Sequence, residues 1–275
     1  MDVVQLTDAA EFLERAAPLL LADEARHNLI LGLAGTLRDH PDVYPDHGLW
    51  LVEDGGAPVG AALRTRPFNL VLAHGSGGAV DLLARVIDEP LPGVVGARPE
   101  VDRFVAARGR RAEPRVRQGV YALDEVVAAP LPSGAPRPAS AGNRSLLIEW
   151  VRAFSVEALN EDEPDEERTS RMIDHRLTSP RTGFALWEDA GEPVSLVGFG
   201  GATPTGIRIG PVYTPPEHRG RGYASALTAH VSAKQLEAGR RFCFLYTDLG
   251  SPTSNKIYVA IGYRRVCDSV EYAFV

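Results

Sequence analysis

The sequence predicts a mixed α/β fold: a mainly antiparallel central sheet flanked by helices, set out as two such units in tandem. Three observations carry this reading. First, a β-branched run (Ile207, Ile209, Val212) ends at Tyr213-Thr214. It passes through Pro215-Pro216, which cannot continue a ladder, into a Gly-rich turn and a helical pattern (Ala224, Leu227, Val231) that stops at Gly239. Second, the turn Glu53-Asp54-Gly55-Gly56-Ala57-Pro58-Val59 lines up at a constant offset with Glu188-Asp189-Ala190-Gly191-Glu192-Pro193-Val194. In the same order, Val120-Tyr121-Ala122-Leu123 is echoed by Glu271-Tyr272-Ala273-Phe274. Third, the stretch between Ala128 and Gly142 is dense in Pro, Gly, Ser and Ala and reads as a linker. The expected division is therefore residues 1–127, a linker over 128–143, and a second unit over 144–275.

Composition bounds the function. At 275 residues, 44% hydrophobic and 24% charged, the chain has the makings of one large or two small globular domains. No apolar run approaches the ~20 residues of a membrane span, and Met1-Asp2-Val3-Val4 lacks a signal-peptide pattern, so the expected compartment is the cytoplasm. Cys243 and Cys267 lack any metal-binding spacing and read as buried, apolar-like residues rather than a disulfide or a zinc site. A net charge of −7 argues against nucleic acid as a partner and suits a cationic substrate.

In chain order, residues 8–38 read as helical with a break at Pro18. Three strands follow, at Trp50–Glu53, Val59–Leu63 and Leu70–Ala73, the first two joined by an Asp54-Gly55-Gly56 hairpin turn. Helices are expected over Val80–Ile87 and Val101–Arg108, and a closing strand over Gly119–Val126. The segment Ala73-His74-Gly75-Ser76-Gly77-Gly78 is the first half's counterpart of the later Gly-rich loop. It lacks an arginine and reads as a plain turn. Beyond the linker, Ser145–Leu159 reads as an amphipathic helix presenting Leu147, Trp150, Val151 and Phe154, and Thr169–Leu177 as a second helix. A meander of three strands is expected at Phe184–Trp187, Val194–Gly201 and Ile207–Thr214, with a bulge at Gly210-Pro211. An apolar strand, Phe242–Tyr246, follows.

The chemistry concentrates in Arg219-Gly220-Arg221-Gly222-Tyr223-Ala224-Ser225. The first turn of a helix leaves about four N–H groups without partners and carries a positive dipole end. Gly220 and Gly222 let a ligand come close, and Arg219 and Arg221 add charge, so the loop suits an anion, above all a phosphate. The alternative is an ordinary strand–helix connection with surface arginines. Tyr223-Ala224 stands where a Walker loop needs Lys-Ser/Thr, and the dinucleotide fingerprint is absent too.

With Arg219, Gly222 and Ala224 in place, this loop resembles the acyl-CoA loop of the Gcn5-related N-acetyltransferases. The likeness continues through Asn255-Lys256-Ile257-Tyr258 and Ile261-Gly262-Tyr263 and covers about residues 145–275. The resemblance implies that the second half is the catalytic acetyltransferase unit and that the first half is a degenerate copy of the same fold. It also implies acetyl-CoA as cofactor and direct transfer of its acetyl group to a primary amine on a small molecule or peptide. On this reading Val212, Tyr213, Thr214, Arg219, Gly220, Arg221, Gly222, Tyr223, Ala224, Ser225, Asn255 and Tyr258 bind the cofactor. A backbone donor at Val212 polarises the thioester carbonyl, and Tyr258 is the general acid for the leaving thiolate. Asn255 has a second reading as the N-cap of its own helix.

The proton acceptor is left open among Glu157, Glu161 and Glu188, while Asp248 reads first as a turn residue and His218 as facing solvent or the adenosine end. The acids Glu161, Asp162, Glu163, Asp165, Glu166 and Glu167 form either a solvated helix start or, by the resemblance, an anionic rim that attracts cationic amines. Two rivals stand beside the enzyme reading: a non-catalytic acyl-CoA-binding or regulatory module, and an acyltransferase that uses another acyl-CoA.

Overall fold

The computed structural model describes residues 1–128, 130–159 and 163–275. They divide into two units: residues 1–120, 201–204 and 265–275, and residues 121–200 and 205–264.

The first unit runs β1 (Asp2–Leu6), α1 (Ala9–Leu20), α2 (Asn28–Asp39), β2 (His47–Asp54), β3 (Ala57–Thr65), β4 (Leu70–Leu72), α3 (Gly77–Val86), β5 (Gly93–Ala97), α4 (Glu100–Arg108) and most of β6 (Ala112–Leu123). β1 to β4 pair antiparallel in sequence, whereas β4 and β5 pair parallel. The last strand of the chain, β12 (Arg264–Phe274), pairs antiparallel with β5 over Ser269–Ala273. Successive side chains of a strand point to opposite faces, and here both faces are covered. Leu49 and Leu51 of β2 pack with Phe12, Leu20 and Ile30 of the α1–α2 side, while Trp50 and Val52 pack with Leu83 and Phe104 of the α3–α4 side. This explains the unbroken apolar run in β2.

The second unit repeats the order: β7 (Ala135–Pro138), α5 (Arg144–Leu159), α6 (Glu166–Thr178), β8 (Gly183–Asp189), β9 (Glu192–Gly200), β10 (Gly206–Tyr213), α7 (Tyr223–Glu237), β11 (Phe242–Asp248) and α8 (Pro252–Ala260). Strands β7 to β10 pair antiparallel in sequence and β10 pairs parallel with β11. Leu147, Trp150 and Ile173 of α5 and α6 cover one face over Phe184, Leu186 and Leu196. Leu227, Val231 and Tyr258 of α7 and α8 cover the other over Trp187, Val197 and Ile207, joined by Tyr121 and Leu123.

Several expectations change. Within the expected linker, residues 133–143 are not a bare connection. Ala135–Pro138 is a strand paired with β8, the Trp187 Nε1–H donates to the Ser133 carbonyl at 2.8 Å, and Ala139 N–H donates to Phe184 at 2.9 Å. Pro136 and Pro138 are tolerated because β7 is an edge strand, where a missing N–H costs no ladder bond. Residues 265–275 group with the first unit, since β12 takes its ladder partner from β5. Pro18 does not break α1. The helix continues to Leu20 because its apolar face, Phe12, Ala16 and Leu20, is wholly buried across the proline.

Strands β1 and β5 escape the sequence patterns. β5 is Gly-Val-Val-Gly-Ala, and its glycines report close strand approach: a Cβ on Gly93 would lie 2.0 Å from the Tyr272 carbonyl oxygen, and one on Gly96 2.7 Å from that of Leu72.

A buried polar chain ties α2 to the loop after β4. The His27 ring accepts from the His74 N–H at 3.0 Å through Nε2, while Nδ1 donates to the Leu20 carbonyl at 2.9 Å, which fixes a neutral imidazole. Burial holds His27 below the ordinary 6.5, against the pull of the Leu20 carbonyl. An unfolded chain protonates this ring below 6.5 and the folded one does not, so stability is intact above that pH and falls as the pH drops beneath it. The loss is about 1.4 kcal/mol for each pH unit in which only the unfolded ring is charged. The stability gap between the wild type and His27→Gln, measured by urea unfolding from pH 7.5 to 5.5, should narrow as the pH falls. A pH-independent gap would show that the folded and unfolded rings take up the proton alike, against a lowered pKa for His27.

Candidate active site

The site grows from an interruption in β10. Ile207 and Ile209 point into the α7–α8 core, but Pro211 cannot donate to a ladder and the register with β9 shifts between Ile209 and Val212. On the other side, parallel pairing with β11 covers Gly206–Arg208 and stops there. From Ile209 to Tyr213 the strand keeps β9 as its neighbour, and the edge toward β11 is left without a described ladder partner. This is the splay and bulge expected around Gly210-Pro211.

Past Tyr213 the chain turns through Pro216–His218 into the Gly-rich loop. Gly220 has φ +77° and Gly222 φ +86°, a region only glycine enters without strain, and a Cβ at either would meet nothing within 4 Å. The glycines are needed for backbone shape, and the space before them is open. Helix α7 begins at Tyr223 with Gly222 as its N-cap and no side chain capping it, so the first-turn N–H groups of Tyr223, Ala224 and Ser225 lie behind an uncapped end. The corresponding helix of the first unit is finished differently. Ser76 caps α3 through Ala79 N–H at 3.3 Å, and the Arg103 guanidinium lies 2.6 Å from where a Gly77 Cβ would stand.

The two loop arginines have distinct settings. Arg221 is exposed and donates to the Glu217 carbonyl at 3.3 Å. Arg219 instead folds back: Nη2 bonds Glu157 at 2.5 Å, Nε donates to the Thr214 carbonyl at 2.9 Å, and the guanidinium lies 5.9 Å from the Tyr213 ring centroid. The Tyr213 hydroxyl donates to the same Glu157 at 2.9 Å. Desolvation pushes the Glu157 carboxyl up, but the bonds from Arg219 and Tyr213 outweigh it and hold the group below its usual range. Of the candidate bases, Glu157 is thus committed to Arg219 and Glu188 to Arg137 at 2.5 Å, while Glu161 lies outside the described residues.

Tyr223 is not a ligand-facing side chain. It is buried in the core, and its hydroxyl donates to Asp189 at 2.5 Å, so what it offers a ligand is main chain. Asp189, held low first by Tyr223 and then by Ser133, anchors the start of α7 to the β8–β9 turn, a role sequence reading did not find. Thr214 is fixed through its hydroxyl to Ser195 at 2.9 Å.

Helix α8 has Ser251 at its N-cap, so Asn255 is not a cap. Its Nδ2 donates to the Asp248 carbonyl at 3.1 Å, while its buried Oδ1 has no partner among the described residues. The Nδ1 of His218 is likewise buried without one. Asp248 accepts from Gly250 N–H at 2.8 Å, the turn role expected of it. Tyr258 sits in the same core cluster as Tyr223, with Val212 packed against it, edge-on to Tyr263 at 6.1 Å. Burial pushes its phenol up to about 12, so it stays protonated at every physiological pH. In the turn after α8, Gly262 has φ +108° and a Cβ there would lie 2.5 Å from the Glu125 carbonyl.

Of the acid cluster, Glu161 and Asp162 lie outside the described residues. Asp165 caps α6 by accepting from Arg168 N–H at 2.9 Å, Glu166 pairs with Arg152 at 2.8 Å and Glu167 with Arg171 at 2.5 Å, which favours the helix-start role for these three. A cavity of about 540 Å³ lies beside α5, lined by Glu149, Arg152, Ala153, Val156, Glu163 and Pro164, and shares no residue with the loop.

Comparison with known proteins bears on the fold and on the second unit. The pattern of the Acetyltransferase (GNAT) family matches residues 146–263. Among solved structures, a GCN5-related N-acetyltransferase from Sphaerobacter thermophilus has a TM-score of 0.65 at 19% identity, over 98% of this chain and 94% of that one. An acetyltransferase of the GNAT family from Colwellia psychrerythraea has a TM-score of 0.61 at 12% identity, over 100% of both chains. A tandem GNAT protein from the clavulanic acid biosynthesis pathway has a TM-score of 0.57 at 17% identity, over 98% and 97%. Curated proteins give no match. The family match places a GNAT-family domain at residues 146–263, in the second unit, and the fold of the whole chain is that of these structures, a tandem GNAT protein among them.

Proposed function

We propose that the second unit transfers an acetyl group from acetyl-CoA to a primary amine. The observation that carries this reading is the uncapped start of α7 behind two open, positive-φ glycines, next to the splayed edge of β10. The residues present fit CoA. The N–H groups of Gly222 to Ser225 suit a diphosphate, Arg219 and Arg221 add charge, and the orphaned Oδ1 of Asn255 is an acceptor lacking a donor such as a pantetheine amide.

Acetyl-CoA supplies an activated acyl carbon. The chain's own part is to hold it, to donate to the carbonyl oxygen as negative charge develops there, and to give a hydrogen bond to the departing sulfur. The main chain at Val212 is the donor for the oxygen, on the edge of β10 that β11 has left. Tyr258 is the donor for the sulfur, because its buried phenol has no partner among the described residues and stays protonated. The amine acceptor approaches from the α5–α6 side, where Glu157 and Tyr213 lie. The first unit serves as structure, since α3 is already capped and Arg103 fills the space at Gly77.

Arg219→Ala should weaken CoA binding by about 1.5–3 kcal/mol, one charge-assisted contact, read by calorimetry; unchanged affinity removes Arg219 from the site. Tyr258→Phe should leave CoA affinity within about twofold and lower turnover roughly 100-fold in a free-thiol assay over an amine panel. Binding without turnover by the wild type for every amine would instead make the unit a non-catalytic acyl-CoA module. Calorimetric stoichiometry should be one CoA per chain, and a value of two would return a binding role to the first unit.

A further inference from the structure

We propose that Arg219 is a shared counter-charge, held by Glu157 in the free protein and taken over by the CoA diphosphate, so that cofactor binding bares the Glu157 carboxylate for a positively charged acceptor. This rests on reading the α7 loop as a CoA site.

Three elements converge on the contact. Glu157 comes from the end of α5, Tyr213 from the end of β10, and Arg219 from the loop. The carboxylate is divided between two donors: Oε1 takes the Tyr213 hydroxyl at 2.9 Å and Oε2 takes Arg219 Nη2 at 2.5 Å. The Arg219 and Glu157 side chains are 49% and 41% exposed, so solvent screens their attraction and the pair is of the weak, breakable kind. A diphosphate offers more charge and several acceptor oxygens to one planar guanidinium, and outcompetes a single carboxylate for it. The Thr214 carbonyl, which takes Nε, anchors the side chain near the loop whichever anion holds the rest.

The exchange leaves Glu157 changed but still in place. The Tyr213 hydroxyl continues to orient one oxygen, and the other loses its counter-charge on the side of the unit that carries α5 and α6. An ammonium group can then take the position the guanidinium vacated. By linkage, each ligand strengthens the other's binding, and an uncharged acceptor gains nothing. The cation preference therefore resides in one carboxylate gated by the cofactor.

The test is CoA calorimetry on the wild type, Glu157→Gln, Arg219→Ala and the double variant. Glutamine keeps an acceptor for Tyr213 and releases Arg219, so Glu157→Gln should bind CoA several-fold tighter than the wild type. In the Arg219→Ala background the same change should alter affinity less than twofold. Equal tightening in both backgrounds would show a general repulsion of anions, and no tightening in either would show an inert pair; each outcome overturns the proposal. The carbon-13 signal of the Glu157 carboxyl should titrate higher with CoA bound than without it, and an unmoved titration would also overturn it. Absence of CoA binding by the wild type would instead defeat the site reading itself.

Discussion

A proline in the middle of a strand is the constraint on which this site depends. Pro211 has no N–H to offer a ladder, so β10 cannot continue as an evenly paired strand beyond Ile209. It shifts register against β9, and its pairing with β11 has already ended at Arg208. A strand edge with unused main-chain groups next to a parallel neighbour is normally a liability. Here the chain passes from a strand edge that has left β11 to the uncapped amides at the head of α7. On the proposed reading the helix start takes the phosphates and the strand edge the extended polar arm and the carbonyl. The apolar cluster of Ile207, Leu227, Val231 and Leu245 holds both in position without contributing any chemistry.

The two units share an order of elements and differ in how one helix is finished. Both run strand, two helices, three antiparallel strands, helix, parallel strand, helix. In the first, Ser76 satisfies the head of α3 and Arg103, itself bonded to Asp81 at 2.8 Å, fills the room a ligand would need. In the second, glycine stands at the cap with its left-handed φ, a Cβ there would meet nothing within 4 Å among the described residues, and Tyr223 is turned into the core with its hydroxyl on Asp189. The difference lies in the termination of one helix, a local matter of a few side chains.

That locality explains what could be read from the sequence. The Gly-rich loop, the helix after it and the meander before it are signalled within a few residues of one another, and those elements are where the patterns put them. Strand β7 was hidden because Pro136 and Pro138 carry the signature of a linker, and only its edge position makes them harmless. The attachment of residues 265–275 to β5 depends on a partner some 170 residues away, which periodicity cannot report. The Arg219–Glu157 contact has the same origin, since its partners are 62 positions apart and each charge alone looks like a solvated one. The Asp189–Tyr223 bond is hidden further, because a tyrosine in a phosphate loop suggests a ligand contact until its burial is seen.

Tyr258 raises a question of magnitude that the same core answers. A phenol raised to about 12 is a poor acid toward a thiolate with the ordinary pKa of about 8.5; the mismatch of some 3.5 units is worth about 5 kcal/mol. Measured against a solvated sulfur, Tyr258 would only donate a hydrogen bond. On the proposed reading the sulfur would leave beside the same core, and desolvation disfavours a thiolate as it does a phenolate. Cys243, in the same cluster as Tyr258, gives the scale: burial pushes its thiol from 9.0 to about 12. A leaving thiolate buried to the same degree would be shifted in the same direction as the phenol, which narrows the mismatch. On the proposed reading, the burial that makes Tyr258 look inert is the condition under which it would act as the acid.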